Sequence, residues 1–585
     1  MWRAWLWRSA LVLLLAGFTY AVTLSFAFTG DDGGVVTENT FIRSLAHLPE
    51  LLSQGYFPRA GEVSYRPLVT LSYMFDWALW GDRPAGFHLT NVLLHALASA
   101  TLVLVTAALF GDLGLALLTG AFFAVLPAAS EAVAAVAFRE DLLAALFSLL
   151  AMLCILAPPA ARRGPAARPR WGGRGPAALV FLALALLAKE MALATPLVLA
   201  LLVLRRQPPA RRPPRRLAVA LALELGLYLL VRFDWRQNPT PPPLPDAADG
   251  AVTMALNAVR IAVFYVLHSL VPVGASIDYS TSLHVGLRDP RALAALSLAA
   301  LIGVGLWRAP GAGPLRLGLL WFFLALLPVS NLAPLHSPVA ARYLYLPSSG
   351  WSLALAAAFT SAARGARARG VGRSRAPAGE GRRRRLAVRM LVGAALLCFV
   401  ILTVWQTRVW ESNYTLWRFG AAREPGRVRG HLNFAQELQK RRRTDAARHA
   451  WLTALSIDPR QRDPYNNIGN LQRQAGNLDK AVLLYLRWLR YEPRTAETLN
   501  NLGIALRQRG LVDRAILTYQ QALRSVPEQA AASANLGIAL LQRGASSAAL
   551  RQFRRSLALD PKQEQAAALR AMVERLSRMP AAGRP

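Results

Sequence analysis

The chain has 585 residues, 54% of them apolar, with a formal net charge of +34 at pH 7 and two cysteines. Cys154 and Cys398 both lie inside apolar runs, so neither a disulfide framework nor a metal site can be read from them. Much of the positive charge falls in three short segments between apolar runs, 162–174, 205–216 and 364–389; this is the pattern of cytoplasmic loops facing anionic lipid, not of a nucleic-acid surface.

Crossing a bilayer takes about 20 apolar residues. Stretches of that kind run over 9–29, 87–110, 114–137, 141–158, 176–204, 217–232, 252–274, 291–308, 315–331, 343–361 and 387–406. Arg3 and Arg8 set the N-terminus on the inner side, and the many later spans exclude reading the first as a cleaved leader. Lys189 and Glu190 interrupt the fifth run, which then counts as a hairpin of two crossings. With the arginine loops inside, a C-terminal domain outside requires an odd total. The weakest run is 217–232, short and carrying Glu224 and Arg232, so about eleven crossings are expected. The proline-rich stretch 238–245 reads as a stiff linker.

After the last run a period of 34 residues sets in. Asn433, Asn467, Asn501 and Asn535 mark one phase, Pro459, Pro493, Pro527 and Pro561 a second, and Trp451, Tyr485, Tyr519 and Phe553 a third. A 34-residue period of this kind is that of a tetratricopeptide array, in which each unit is a pair of antiparallel helices that bury their apolar faces by stacking. Gly469, Gly503 and Gly537 fall where the helices approach closely, and Gly476, Gly510 and Gly544 where the first helix ends. The first unit has Ala435 and Arg442 at those positions and reads as an edge unit, and Trp417 and Pro425 supply a half-unit before it. The expected fold class is all-α: a polytopic membrane domain over 1–408 with an acidic first outer loop at 30–86, a repeat solenoid over 409–578, and a disordered tail at 579–585.

Ionisable groups at membrane depth cost several kcal/mol unless paired or hydrated, and so mark cavities. Here they gather on the expected outer side: Asp31 and Asp32 after the first span, Arg66 in the loop beyond, Glu131, Arg139, Glu140 and Asp141 at the end of the third span, Lys189 and Glu190 within a run, and Arg342, Tyr343 and Tyr345 opening a late one. The plain alternatives are a solvated helix end for the aspartates, an internal ion pair for Lys189 and Glu190, and a headgroup anchor for Arg342 and its tyrosines. Asn467, Asn501 and Asn535 recur on first helices of the repeats, where an amide both donates to and accepts from an extended peptide backbone. The alternative there is that they cap contacts between units.

Taken together, Asp31-Asp32, Ser64-Tyr65-Arg66-Pro67-Leu68, Gly86-Phe87-His88 with Asn91 and His95, Glu131-Ala132-Val133 with Arg139 and Asp141, Lys189-Glu190, and Arg342-Tyr343-Leu344-Tyr345 resemble the transmembrane and tetratricopeptide-repeat protein O-mannosyltransferases over nearly the whole chain. Phe138 departs from that pattern, standing where a small residue is usual. The resemblance implies the GT-C glycosyltransferase fold and transfer of mannose from a polyprenyl-phosphate carrier to a protein hydroxyl. On that reading Asp32 supplies the base and Asp31 orients it or tunes its charge; like-charged neighbours titrate as a pair, so the sequence leaves open which of the two acts. The donor phosphate and substrate are met by Arg66, Arg139, Glu140, Asp141, Lys189, Glu190, Arg342, Tyr343 and Tyr345. No metal site stands out in the sequence, and dependence on a divalent metal is open. The expected partners are membrane lipid, the polyprenyl-phosphate sugar and an acceptor polypeptide on the repeats, with no nucleic acid. A non-catalytic membrane scaffold for envelope proteins and a transferase acting on lipid or polysaccharide are the competing readings.

Overall fold

The computed structural model describes residues 2–53, 56, 65–156, 174–206, 215–234, 250–271, 289–308, 313–332, 335, 337–371 and 380–578. Most of the first arginine segment, Arg211 and Arg212, the 238–245 linker, Ser64 and the 579–585 tail lie outside the described residues. Among the described residues there is no strand. The helices fall into two compact units, Met1–Phe419 and Gly420–Pro585.

The first unit runs through α1 (Trp2–Tyr20), α2 (Pro67–Trp80), α3 (Pro84–Phe110), α4 (Leu113–Val125), the single turn α5 (Ser130–Ala134), α6 (Arg139–Leu156), α7 (Arg174–Ala188), α8 (Thr195–Arg206), α9 (Arg215–Asp234), α10 (Gly250–Leu270), α11 (Pro290–Arg308), α12 (Pro314–Leu326), α13 (Ser348–Val371), α14 (Glu380–Thr407) and α15 (Asn413–Arg423). Among the described residues four helices are long and apolar enough to cross a membrane, over Trp5–Ser25, Pro84–Phe110, Val252–Leu270 and Leu386–Trp410; a bent pair, Leu113–Val125 with Pro127–Ala134, makes a fifth. The last span leaves Leu386, Met390, Leu391, Leu397, Ile401 and Trp405 mostly bare, as a helix with lipid for a solvent can. Several other expected spans appear as shorter apolar helices, including Arg174–Ala188 and Pro314–Val329.

Two local features of this unit matter for the site. Pro127 disfavours helical backbone at Leu126, which takes φ −70° and ψ 123°, so α4 stops at Val125 and the chain bends by 50° before α5. Close packing elsewhere relies on absent side chains: a Cβ on Gly350 would lie 2.6 Å from Gly318 O and from Phe322 N, so α12 and α13 cross backbone to backbone.

The second unit holds α16 (Val428–Lys440), α17 (Thr444–Ile457), α18 (Arg462–Gln474), α19 (Leu478–Leu489), α20 (Ala496–Gln508), α21 (Val512–Ser525), α22 (Ala530–Gln542), α23 (Ser546–Leu559) and α24 (Ala566–Arg578), paired as the 34-residue period requires. A Cβ on Gly469, Gly503 or Gly537 would stand 2.5 Å from the ring of Tyr485, Tyr519 or Phe553, each fully buried. Gly476, Gly510 and Gly544 close the first helices with φ of +78°, +84° and +84°. Arg442 adopts the same left-handed backbone, φ 57°, and Arg443 N–H still reaches Leu438 O at 2.9 Å. The edge unit therefore keeps the turn without the glycine, at a cost of about 1 kcal/mol.

Candidate functional site

The acidic turn is built by backbone hydrogen bonds. Gly30 has φ +55° and donates its N–H to Asn413 Oδ1 at 2.8 Å, and Ala27 N–H reaches Glu411 O at 3.1 Å, which fixes the turn that carries Asp31 and Asp32. Asp32 is fully buried; its Oδ2 accepts from Thr29 N–H at 2.9 Å and its Oδ1 from Ala137 N–H at 2.6 Å. Burial pushes its carboxyl up to about 7, against the backbone bonds that pull it down. Asp31, next to it, is exposed. Asp32 thus spends one oxygen on the turn at Thr29 and the other on Ala137, while Asp31 is the solvent-exposed carboxylate of the pair.

Ala137 opens the segment on which the other charges converge. Phe138 follows it, and Glu140 and Asp141 stand in the first turn of α6, where the helix N-terminus favours negative charge. Lys189, extended at the break after α7, donates to Asp141 Oδ2 at 2.7 Å and lies 3.4 Å from Glu140 Oε1. Arg66, just before α2, reaches Glu140 at 3.0 Å and Glu190 at 3.4 Å. Arg342 donates from Nη1 to Glu131 Oε1 at 2.7 Å and from its backbone N–H to Glu131 Oε2 at 3.1 Å; the bend at Pro127 is what brings Glu131 there. The Arg342 guanidinium lies over Phe138 at 4.1 Å and Tyr343 at 5.3 Å, and the Lys189 ammonium is 5.3 Å from the same Tyr343 ring. Arg66, Glu190 and Arg342 form a rim with side chains 17–26% exposed, while Lys189, Glu140 and Asp141 form a buried floor.

Two expected members do not join this network. Arg139 is fully buried on the other side of the segment, bound to Asp76 at 2.6 Å, Asn91 Oδ1 at 2.8 Å, Ser72 Oγ at 3.2 Å and Phe87 O at 3.0 Å, with Tyr73 beneath it at 4.7 Å. Its donor capacity is consumed by packing partners, so it leaves the phosphate-binding set. Tyr345 is also buried, and its Oη pairs with His95 Nδ1 at 2.7 Å while His95 Nε2 meets Ala124 O at 3.2 Å. Asp76 and Asn413 are partners that the sequence did not single out, and Glu131, which stood out among the outer polar groups, gains its role as the partner of Arg342 only here. An aspartate within the otherwise apolar α2 was a signal for Asp76; nothing local pointed to Asn413. Among the described residues no three histidine, cysteine or carboxylate side chains form a metal-ligand set. A cavity of about 20 Å³, room for one water, opens beside Glu131 between Ala341, Gln406 and Trp410.

In the repeats, Asn467, Asn501 and Asn535 are half-buried on the first helices. Asn535 Nδ2 donates to Asn500 Oδ1 of the preceding unit at 2.9 Å, so this asparagine links units in the way the alternative reading requires. Asn466, one residue before Asn467, is buried with neither amide atom hydrogen-bonded.

A family model described as tetratricopeptide repeat matches residues 432–497 and 500–564. Among curated proteins, protein O-mannosyl-transferase TMTC1 of Homo sapiens is 26% identical, over 79% of this chain and 57% of that protein. Protein O-mannosyl-transferase TMTC4 of Homo sapiens is 30% identical, over 60% of this chain and 55% of that protein. The chain thus spans little more than half the length of these relatives. Among solved structures, a thermophilic tetratricopeptide-repeat protein of Thermus thermophilus is 20% identical over 33% of this chain and 97% of its own, with a TM-score of 0.25. Over most of its length, then, the chain is similar to curated protein O-mannosyl-transferases, and its C-terminal unit is a tetratricopeptide-repeat solenoid.

Proposed function

We propose that the chain is an integral-membrane glycosyltransferase that moves a sugar, mannose by analogy with its relatives, from a polyprenyl-phosphate carrier to a serine or threonine hydroxyl of an acceptor polypeptide held by the repeats. Its catalytic domain, over about residues 1–408, has the GT-C-like arrangement with about eleven crossings, and the repeats, over about 409–578, stand on the extracytoplasmic side with the acidic turn. The observation that carries this reading is the meeting of the turn at Asp31 and Asp32 with Arg66, Lys189 and Arg342 on one short segment, Val136 to Asp141.

In the reaction, the acceptor oxygen attacks the anomeric carbon of the sugar. Asp31 takes the hydroxyl proton as that bond forms. The bond between the anomeric carbon and the phosphate oxygen breaks, and its electron pair leaves with the lipid phosphate. Arg342, clamped by Glu131 and by the Phe138 and Tyr343 rings, faces that growing charge together with Arg66. Lys189, held by Asp141 and Glu140, sets the position of the floor beneath them. Asp32 keeps Asp31 in place through its bonds to Thr29 and Ala137.

The test is transfer of labelled mannose from polyprenyl-phosphate mannose to a serine- and threonine-rich peptide by the full chain in lipid nanodiscs. Label in peptide is the expected result. Label moving only to lipid or polysaccharide would shift the acceptor class. No consumption of a polyprenyl-phosphate sugar by folded protein would overturn catalysis and leave a scaffold braced by internal ion pairs.

A further inference from the structure

The second helices of the central repeats carry a stripe that the packing of the array does not use. On α19, Lys480, Leu483, Arg487 and the following Arg490 lie at i, i+3, i+7 and i+10, along one face. One period of 34 later, Arg514, Leu517, Gln521 and Arg524 repeat the arrangement on α21, and all eight side chains are exposed. Leu483 and Leu517 are 56% and 58% exposed, and Leu486 and Tyr491 widen the apolar part. The single acidic residues of these two helices are already met: Asp479 by Arg509 at 2.8 Å and Asp513 by Arg543 at 2.9 Å. On α23, which has no acidic residue, Arg551 and Arg555 continue the stripe.

We propose that this face of the array lies on the headgroup region of a bilayer containing anionic lipid. An exposed leucine with a cation one turn before it and further cations beyond matches that surface in both respects: the leucine enters the acyl boundary while the arginines meet phosphate. An acidic polypeptide would answer the charges but leave the leucines in water. The chain itself supplies the proximity, since the apolar helix over Leu386–Trp410 ends about ten residues before Gly420, where the array begins, and so short a tether makes surface contact effectively intramolecular. The stripe sits on second helices, so it leaves the first helices, with Asn467 and Asn501, free for an acceptor.

The test uses the full chain with Cys154→Ser and Cys398→Ser, and with a polarity-sensitive fluorophore attached through Leu517→Cys. It is placed in nanodiscs of phosphatidylcholine alone or with about 30% phosphatidylglycerol, each containing a nitroxide-labelled lipid as quencher. Quenching should be severalfold stronger in the anionic discs. It should fall back in about 0.5 M salt and in Arg514→Gln/Arg524→Gln, where each lost charge weakens adsorption about fivefold. A control label through Gln474→Cys, on a first helix, should stay unquenched. Equal quenching in both discs, or equal quenching of both labels, overturns the proposal. So does a label that responds to soluble polyglutamate in neutral discs but not to anionic lipid, which would make the face a polypeptide site. The salt series reads the natural charges and so does not depend on how the arginine variants fold.

Discussion

Replacing Lys189 by methionine tests whether the floor of the site is desolvated as its geometry requires. Lys189 and Asp141 have side chains 3% and 1% exposed and stand 2.7 Å apart. Methionine keeps the volume of the lysine stem, so no large cavity opens, and the loss is almost wholly the ammonium. Glu140 still has Arg66 at 3.0 Å; Asp141 has no second cation within salt-bridge distance among the described residues. Leaving one buried carboxylate uncompensated typically costs about 3–5 kcal/mol, whereas replacing both members of such a pair by apolar groups is often neutral. Lys189→Met should therefore lower the apparent melting temperature of the protein in nanodiscs by several degrees at pH 7, and Lys189→Met/Asp141→Leu should regain most of it. Asp141→Asn should fall between them, because Lys189 keeps Glu140 at 3.4 Å. Tryptophan fluorescence on heating, with size-exclusion recovery as a check, reads all four proteins. If Lys189→Met melted with the wild type, the pair would be hydrated and the buried-floor description would be wrong.

Further outcomes follow from the two units. Arg342→Lys should raise the KM for donor by tenfold or more with a smaller effect on folding, because an ammonium cannot hold Glu131 and a phosphate in one plane; unchanged donor kinetics would return Arg342 to a headgroup anchor. Asp31→Asn should cut turnover by about a hundredfold to ten-thousandfold, and wild-type turnover in the folded variant would remove its role as base. For Asp32, a folded value near 7 against 3.8 means that the folded state binds the extra proton, so its contribution to stability is greatest below about pH 4 and fades as pH rises through 7; Asp32→Asn should therefore gain relative to wild type as pH goes from 5 to 8, and a constant difference would contradict the burial argument. In the repeats, Gly503→Ala drives a methyl to 2.5 Å from the Tyr519 ring and should cost about 1–3 kcal/mol, while Asn467→Ala/Asn501→Ala should weaken acceptor binding with little change in melting, the reverse result assigning those asparagines to the fold.

The repeat unit was legible in the sequence because its determinants are local and recur: a glycine under a ring, a glycine or Arg442 in the left-handed turn, a proline after the second helix, each 34 residues on. The existence of a polar site was legible for a related reason, since charges such as Lys189, Glu140 and Arg342 stand out against apolar runs whose length the bilayer sets. What a linear pattern cannot carry is the pairing. Whether Arg66 meets Glu140, whether Arg342 turns to Glu131, and whether Arg139 is spent on Asp76 depend on contacts between residues up to 211 positions apart, and a carboxylate reads the same in sequence whether its neighbours are water or backbone N–H groups. The tertiary structure alone decided that Asp32 is the buried brace and Asp31 the exposed acid, because only folding brings Ala137 N–H and the surrounding apolar side chains around one of two adjacent, chemically identical residues.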